Sequence, residues 1–254
     1  MTKLVYYYDL ITHLVKRQFY LQYKRSYLGI LWSLIVPFSQ LIILNLVFTS
    51  ILPLGIQGYG AFVFCALLPW NWFSNSISNS GHLYYANKDL LKKPNFRPFM
   101  LNIVDIGTNL LLFLVALPVL LLILVYYDRA LNLSILFLPV LIAAEFILIF
   151  AISLLVSVLN VIYTDIQHIV SVLLTLLFYL CPIFYGIDAL GEKSMFLYKL
   201  NPFASLVESY RMIFFDGKLP DLLTVLYVVL CGLVLTFVSY YIYQREVDKL
   251  VDRL

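Results

Sequence analysis

The segment from Lys24 to Leu52 reads KRSYLGILWSLIVPFSQLIILNLVFTSIL. After its first two residues, which are basic, the segment carries no charge. A helix of about 20 apolar residues crosses a hydrocarbon core about 30 Å thick. The segment therefore predicts a transmembrane span at 28–52 whose basic end lies in the cytoplasm. Small and polar residues at helical spacing form a stripe suited to packing or to lining a path: Gly29, Ser33, Pro37 and Gln40.

The composition of the whole chain agrees with this segment. Of the 254 residues, 63% are hydrophobic and 12% are charged, and the mean hydropathy is +0.93. A soluble globular domain has about 25% charged residues, so the composition excludes that class. The cysteines Cys65, Cys181 and Cys231 lie far apart in apolar runs, and we interpret them as small buried hydrophobic residues without disulfides.

The hydropathy pattern predicts an all-α membrane protein that forms a single transmembrane domain over 1–254. Residues 1–23 have the periodicity of an amphipathic helix in the interface plane. Six transmembrane helices are predicted at 28–52, 61–83, 100–126, 133–161, 169–185 and 222–243. Six crossings place both termini in the cytoplasm, and most of the 17 Lys and Arg residues then lie on cytoplasmic segments.

Polar side chains inside the predicted spans must be satisfied by other helices or by water. The second span is rich in Asn and Ser in its later half. In the third span, we expect Asp105 to make a structural hydrogen bond or to pair with a cation. In the fourth span, Glu145 has two interpretations, an ionisable functional group or a protonated or paired group that ties two helices together.

Residues 84–99 form a hydrophilic loop whose cations place it in the cytoplasm. One interpretation is a solvated loop that only sets the topology. The other, which we favour, is a short helix ended by Pro94 that presents apolar side chains to a partner protein together with Lys92. Those apolar side chains are Leu90, Leu91 and Phe96.

Residues 187–215 are too polar to cross the membrane, and we predict a pair of short re-entrant helices at the outer interface. Asn201-Pro202 predicts a helix N-cap followed by proline at the first helical position. Glu208 and Arg211 lie three residues apart on that helix. At the end of the fifth span, Phe178 and Tyr185 are predicted to share a face, either as interface anchors or as a stacking surface for sugar rings.

The sequence shows no pattern typical of catalysis. It has no Walker A motif, no His or Cys residues at metal-binding spacing, and no nucleophile with a nearby base. We therefore predict that the chain is not an enzyme and binds no cofactor or metal, which disfavours a lipid-modifying membrane enzyme.

Three features in this order resemble the membrane subunits of polysaccharide-exporting ABC transporters, and the O-antigen exporters in particular. They are the segment 24–32 with Pro37, the Leu90–Lys93 loop before the third span, and Asn201-Pro202-Phe203 before the last span. The resemblance covers nearly the whole chain. It implies a homodimer in the bacterial inner membrane, with two separate ATPase subunits that bind ATP and Mg. It also implies a channel for a polysaccharide carried on undecaprenyl diphosphate, and no nucleic-acid partner.

The resemblance also implies roles for particular residues. Leu28 and Gly29 would form the cytoplasmic gate loop. The segment 187–215 would be the periplasmic gate, with Asn201, Pro202, Phe203, Glu208 and Arg211. Coupling to the ATPase would use Leu90, Leu91, Lys92, Lys93, Phe96 and Arg97. A channel wall made by the first and fifth spans would use Tyr27, Trp32, Phe38, Phe178, Tyr179 and Tyr185.

Three alternatives stay open at this point. One is a permease of the same superfamily that exports a small hydrophobic molecule, and another is a permease for a teichoic-acid or capsule polymer. A channel that works without nucleotide is the third. The sequence does not identify the sugar repeat.

Overall fold

The computed structural model describes residues 2–24, 26–93, 96–129, 132–187 and 191–253, and within these ranges the regular structure is entirely helical. We number the α-helices α1 to α10. They are α1 (Thr2–Tyr23), α2 (Leu31–Leu46), α3 (Tyr59–Ala86), α4 (Lys88–Leu91), α5 (Phe99–Tyr126), α6 (Leu138–Ile162), α7 (Ile166–Leu180), α8 (Glu192–Leu200), α9 (Pro202–Phe214) and α10 (Leu222–Arg253). A π-helical turn (Val47–Ile51) extends α2, and a 3₁₀ turn (Leu133–Phe137) precedes α6.

In the part of the chain that the structure describes, four helical stretches are long and apolar enough to cross a membrane: Leu31–Ile51, Phe99–Tyr126, Leu133–Ile162 and Leu222–Leu250. They correspond to the first, third, fourth and sixth predicted spans, which are thereby confirmed as candidate spans. The 28 residues of α3 are also long enough to cross, at about 1.5 Å per residue, but their polar side chains lower its hydropathy. With only 15 residues, α7 is shorter than a usual span. Crossings by α3 and α7 stay predictions.

The fifth predicted span, 169–185, is too long at its carboxyl end. The helix ends at Leu180, and Cys181 has extended backbone angles. Pro182 explains this end, because a proline disfavours the helical conformation of the residue before it. Phe178 and Tyr185 therefore do not share a helical face, and that prediction is wrong.

The centre of the bundle is α3. Every residue from Tyr59 to Trp70 is buried, because α2, α5, α6, α7 and α9 all pack around this helix. On the far side, α10 runs along α6, and the Ser239 hydroxyl donates a hydrogen bond of 2.7 Å to the carbonyl of Ala151. The amphipathic helix α1 packs against α5.

Buried hydrogen bonds account for the polar residues inside the bundle. The Asp105 carboxylate accepts from the amides of Gln18 (3.1 Å), Asn79 (3.2 Å) and Asn109 (3.1 Å). These bonds join α1, α3 and α5, so the structural interpretation of Asp105 is confirmed. The second buried carboxylate, Glu145, is treated with the candidate site below.

A second buried cluster centres on Asn102. Its amide donates to the hydroxyls of Ser153 (2.9 Å) and Ser157 (2.8 Å), and its carbonyl accepts from the Tyr84 hydroxyl at 2.9 Å. The Ser157 hydroxyl in turn donates to the carbonyl of Ser80 at 2.9 Å. Ser80 and Tyr84 in the polar half of α3 are thus held by α5 and α6.

Candidate functional site

The loop 84–99 folds back onto the bundle through its apolar side chains. Leu91 is buried, and Leu90 and Phe96 pack around the same cluster. That cluster contains Leu83, Tyr84, Leu91, Leu101, Leu154, Val158, Val161, Tyr243 and Leu250. The expectation that Leu91 is presented to a partner is therefore not met, because this side chain packs inside its own chain.

The charged side chains of the same loop point outward. Lys92 and Lys93 are exposed, and so are Lys88 and Asp89 on α4. Arg97 is also exposed, and its guanidinium carbon lies 5.7 Å from the ring centre of Tyr7 on α1. The short helix ends at Leu91, and Pro94 lies outside the described residues. The loop thus has an apolar inner side and a charged outer side.

The turn between α1 and α2 depends on Gly29, whose φ of +53° is in the left-handed region that favours glycine. Its backbone N–H donates to the Ser26 hydroxyl at 3.1 Å. Leu28 is exposed beside it, as is Tyr27. The turn puts the start of α2 at Leu31 rather than at the predicted residue 28.

The amino end of α9 has the predicted cap. The Asn201 side-chain carbonyl accepts from the backbone N–H groups of Phe203 (3.0 Å) and Ala204 (3.3 Å), and Pro202 occupies the first turn. Phe203 itself is buried, with its ring centre 4.2 Å from that of Phe73. It is a core residue in this structure.

Arg211 holds the non-helical segment after α7. Its guanidinium donates to the carbonyls of Pro182 (2.7 Å) and Ile183 (3.2 Å), and it pairs with Glu208 at 3.1 Å. The guanidinium carbon lies 3.7 Å from the ring centre of Phe62 on α3. Burial lowers the pKa of Arg211 from its ordinary value, and the Glu208 carboxylate acts in the opposite direction.

A second cation continues this arrangement. The Phe62 ring meets Phe215 edge to face at 5.5 Å, and the guanidinium carbon of Arg129 lies 3.9 Å from the Phe215 ring centre. Arg129 also donates to the carbonyl of Gln57 at 2.9 Å. Two arginines and two rings therefore join the ends of α3, α5 and α9. The sequence analysis missed Phe62, Phe215 and Arg129 because no local pattern relates them.

Of the six residues predicted for the channel wall, the structure brings together Phe178, Tyr179 and Tyr185, whose rings all pack around Phe184. Trp32 faces a cleft beside α5, and Phe38 and Tyr27 are exposed on other parts of the first span. Phe178 packs on Trp70 at 5.5 Å between ring centres. Tyr179 is exposed, while the Tyr185 hydroxyl donates to the carbonyl of Leu180 at 2.9 Å. Their role in a channel stays a prediction.

Glu145 is fully buried on α6, and its Oε2 accepts a hydrogen bond of 2.7 Å from the Tyr210 hydroxyl on α9. Oε1 has no hydrogen-bond partner among the described residues. The contact agrees with the interpretation of Glu145 as a group that ties two helices together. In the same described ranges, no three His, Cys, Asp or Glu side chains lie close enough together to hold a metal ion.

Residues 9–215 match the family model of the ABC-2 type transporter. The chain belongs to the ABC-2 type transporter family. It is thus a multi-pass membrane permease, a transport subunit without an ATPase domain, as predicted.

Curated relatives of this permease cover almost its full length. It is 30% identical over 254 residues to the O-antigen export system permease protein RfbA of Myxococcus xanthus, covering 99% of this chain and 98% of the relative. It is 31% identical over 242 residues to the O-antigen export system permease protein RfbA of Klebsiella pneumoniae, covering 94% and 93%. The ABC-2 family membership and these relatives agree with the resemblance in the sequence analysis.

Proposed function

We propose that two copies of this permease and two ATPase subunits form an exporter of lipid-linked polysaccharide in the bacterial inner membrane. The cargo is a polymer attached to undecaprenyl diphosphate, such as O-antigen. Both termini lie in the cytoplasm, and the ATPase subunits supply the ATP and Mg sites. The O-antigen export relatives support the cargo class.

The observation that carries this proposal is the low burial of the two helices assigned to the conduit. In α2 only Pro37 and Leu41 are buried, and in α7 only Val170. Both helices pack against α3 and leave one face with exposed side chains. These faces are suited to contact a second copy and to enclose a path, with Phe38 and Tyr179 among the exposed rings.

The loop 84–99 suits coupling to an ATPase because its two sides differ. The exposed Lys92 and Lys93 offer a charged surface to a cytoplasmic subunit. Leu91 belongs to the same buried cluster as Tyr243 and Leu250 of α10, so a displacement of the charged side is transmitted through this cluster to α10. A rigid-body shift of packed helices is a common way of converting such a displacement into opening.

At the opposite end of the bundle, α8, α9 and the segment 181–186 form the proposed periplasmic gate. Arg211 ties α9 to this segment, and Phe62 ties both to α3. Because Arg211 and Phe62 connect these elements, we expect the gate to move together with the outer end of α3. The polymer advances by weak contacts with sugar rings at several positions rather than by tight binding at one.

Deletion of the gene tests the proposal. We expect lipid-linked glycan to accumulate on the cytoplasmic side, and the wild-type chain to restore glycan at the cell surface. Lys92→Glu combined with Lys93→Glu should insert normally but fail to restore export, because the charged side of the loop no longer fits the ATPase. Co-purification of the ATPase subunit measures the contact directly.

The control is Lys199→Glu, a charge reversal of an exposed residue on α8 at the other end of the bundle. It should leave co-purification unchanged. Normal surface glycan in the deletion strain would refute the transport function, whereas normal co-purification of the double variant would refute only the coupling role of the loop.

A further inference from the structure

A cleft with a volume of about 600 Å³ lies between α2, α3 and α5. Its described lining residues come from these helices, from the carboxyl end of α1 and from the α1–α2 turn, and none belongs to α7. The cleft therefore involves α2, one of the two helices assigned to the conduit, but not the α7 surface. Its volume is in the range of cavities that hold small organic ligands.

The lining of the cleft is polar and aromatic but uncharged. Six amides contribute to it: Gln22, Gln40, Asn71, Asn75, Asn79 and Asn109. All three tryptophans of the chain also line it, and these are Trp32, Trp70 and Trp72. No Lys, Arg, Asp or Glu is among its described lining residues.

Several of these polar groups are not satisfied by the protein. The Asn71 amide reaches Gln40 only at 3.4 Å, a long hydrogen bond. Ser74 and Asn75 have no side-chain hydrogen bond to any part of the chain that the structure describes. Polar groups at membrane depth require a polar partner, so the cleft is suited to a polar ligand rather than to a lipid chain.

A second cavity continues the cleft toward α1 and the coupling loop. Its volume is about 460 Å³, and it shares Gln22, Asn79 and Asn109 with the cleft. Arg17, Asn87 and Asp105 also line it. The two cavities together form a polar route. This route begins at the end of the bundle that we place in the cytoplasm and reaches the depth of the transmembrane spans.

We propose that this cleft binds an uncharged sugar segment of the glycan as an initial contact site, which adjoins the conduit through α2. The proposal rests on the export function proposed above. Tryptophan faces stack on the C–H faces of sugar rings, and amides exchange hydrogen bonds with hydroxyl groups. A diphosphate would require cations, which the lining of the larger cavity lacks.

The tryptophans make the cleft observable in the complete transporter. Trp70 and Trp72 are buried, whereas Trp32 is 49% exposed, so among the tryptophans of this chain acrylamide quenches mainly Trp32. The permease with its ATPase subunits is placed in nanodiscs of phosphatidylethanolamine and phosphatidylglycerol. The probes are the oligosaccharide released by mild acid from the host's lipid-linked glycan, and undecaprenyl diphosphate without sugar.

We expect the oligosaccharide to reduce acrylamide quenching in a saturable manner, and undecaprenyl diphosphate to have no effect. Asn75→Leu should weaken oligosaccharide binding about tenfold, the effect of losing a hydrogen bond of ordinary strength. Asn75 is exposed in the structure, so the variant is expected to fold. Thr236→Val on α10 removes a hydroxyl outside the cleft and should bind as the wild type does.

Two results would refute the proposal that the cleft binds sugar. One is equal protection by undecaprenyl diphosphate, which would make the cleft a lipid or phosphate site. The other is unchanged oligosaccharide affinity in Asn75→Leu. Neither result bears on the accumulation of glycan in the deletion strain, so the proposed sugar site can be refuted while the export function stands.

Discussion

Replacing Arg211 with methionine should loosen the outer end of the bundle while leaving the rest of the helices in place. The side chain donates to the carbonyls of Pro182 and Ile183, pairs with Glu208 and stacks on Phe62. Methionine is a long, flexible side chain too, but it carries no charge and has no hydrogen-bond donor. The segment after α7 therefore loses the contacts that hold it to α9.

The magnitude follows from these contacts. Hydrogen bonds from a charged donor contribute about 1.5–3 kcal/mol each, and a desolvated cation–ring contact contributes about 2 kcal/mol. Removing the buried cation also removes its desolvation penalty, which offsets part of the loss. The side chain of Glu208 is 24% exposed, so it retains access to water. We expect the free energy of unfolding to fall by about 2–4 kcal/mol.

Two measurements test this expectation. Titration with dodecyl sulfate in mixed micelles gives the change in the free energy of unfolding. Maleimide labelling of the buried Cys181, in a background with Cys65→Ala and Cys231→Ser, reports on the segment that Arg211 holds. We expect faster labelling of Cys181 in Arg211→Met than in the otherwise identical parent.

A matched control and a double-mutant cycle complete the design. Lys199→Met removes an exposed cation from α8 and should change stability by less than about 0.5 kcal/mol. The cycle of Arg211→Met with Phe62→Leu should give a coupling energy of about 1–2 kcal/mol. Unchanged Cys181 labelling together with a coupling energy near zero would refute the role assigned to Arg211.

Two further predictions concern helix packing. Gly81→Ala should lower the free energy of unfolding by about 1–3 kcal/mol, because its Cβ would overlap the side chain of Gln167. The control is Gly191→Ala, where the added Cβ meets open space. Equal stabilities of the two variants in a dodecyl sulfate titration would contradict the packing argument. Tyr210→Phe should cost about 1–3 kcal/mol in the same titration because it removes the hydrogen bond to the buried Glu145. Full stability of Tyr210→Phe would show that this bond does not tie α6 to α9.

The local chemistry of the chain was sufficient for several correct predictions. Charge and hydropathy are properties of short segments, so the membrane class and four candidate spans could be read without any contact information. The cap at Asn201 was predictable for the same reason, since an N-cap involves only residues next to each other in the chain. Family membership also followed from short motifs in a fixed order.

The direction of individual side chains was not predictable in this way. Leu91 and Phe203 belong to segments that suggested exposed roles, yet both are buried by residues distant in the chain. In a membrane protein, a hydrophobic side chain is equally suited to contact lipid, a neighbouring helix or a partner protein. The pattern of apolar residues therefore does not separate these environments.

The amino-acid sequence by itself determined that the chain is a helical membrane permease, because span length, charge placement and turn chemistry are local. Only the tertiary structure decided that Arg211 braces the segment after α7 and that the three tryptophans share a cleft with six amides. Those groupings arise where α3 meets the helices packed around it. They depend on contacts between distant residues, which no spacing along a single segment specifies.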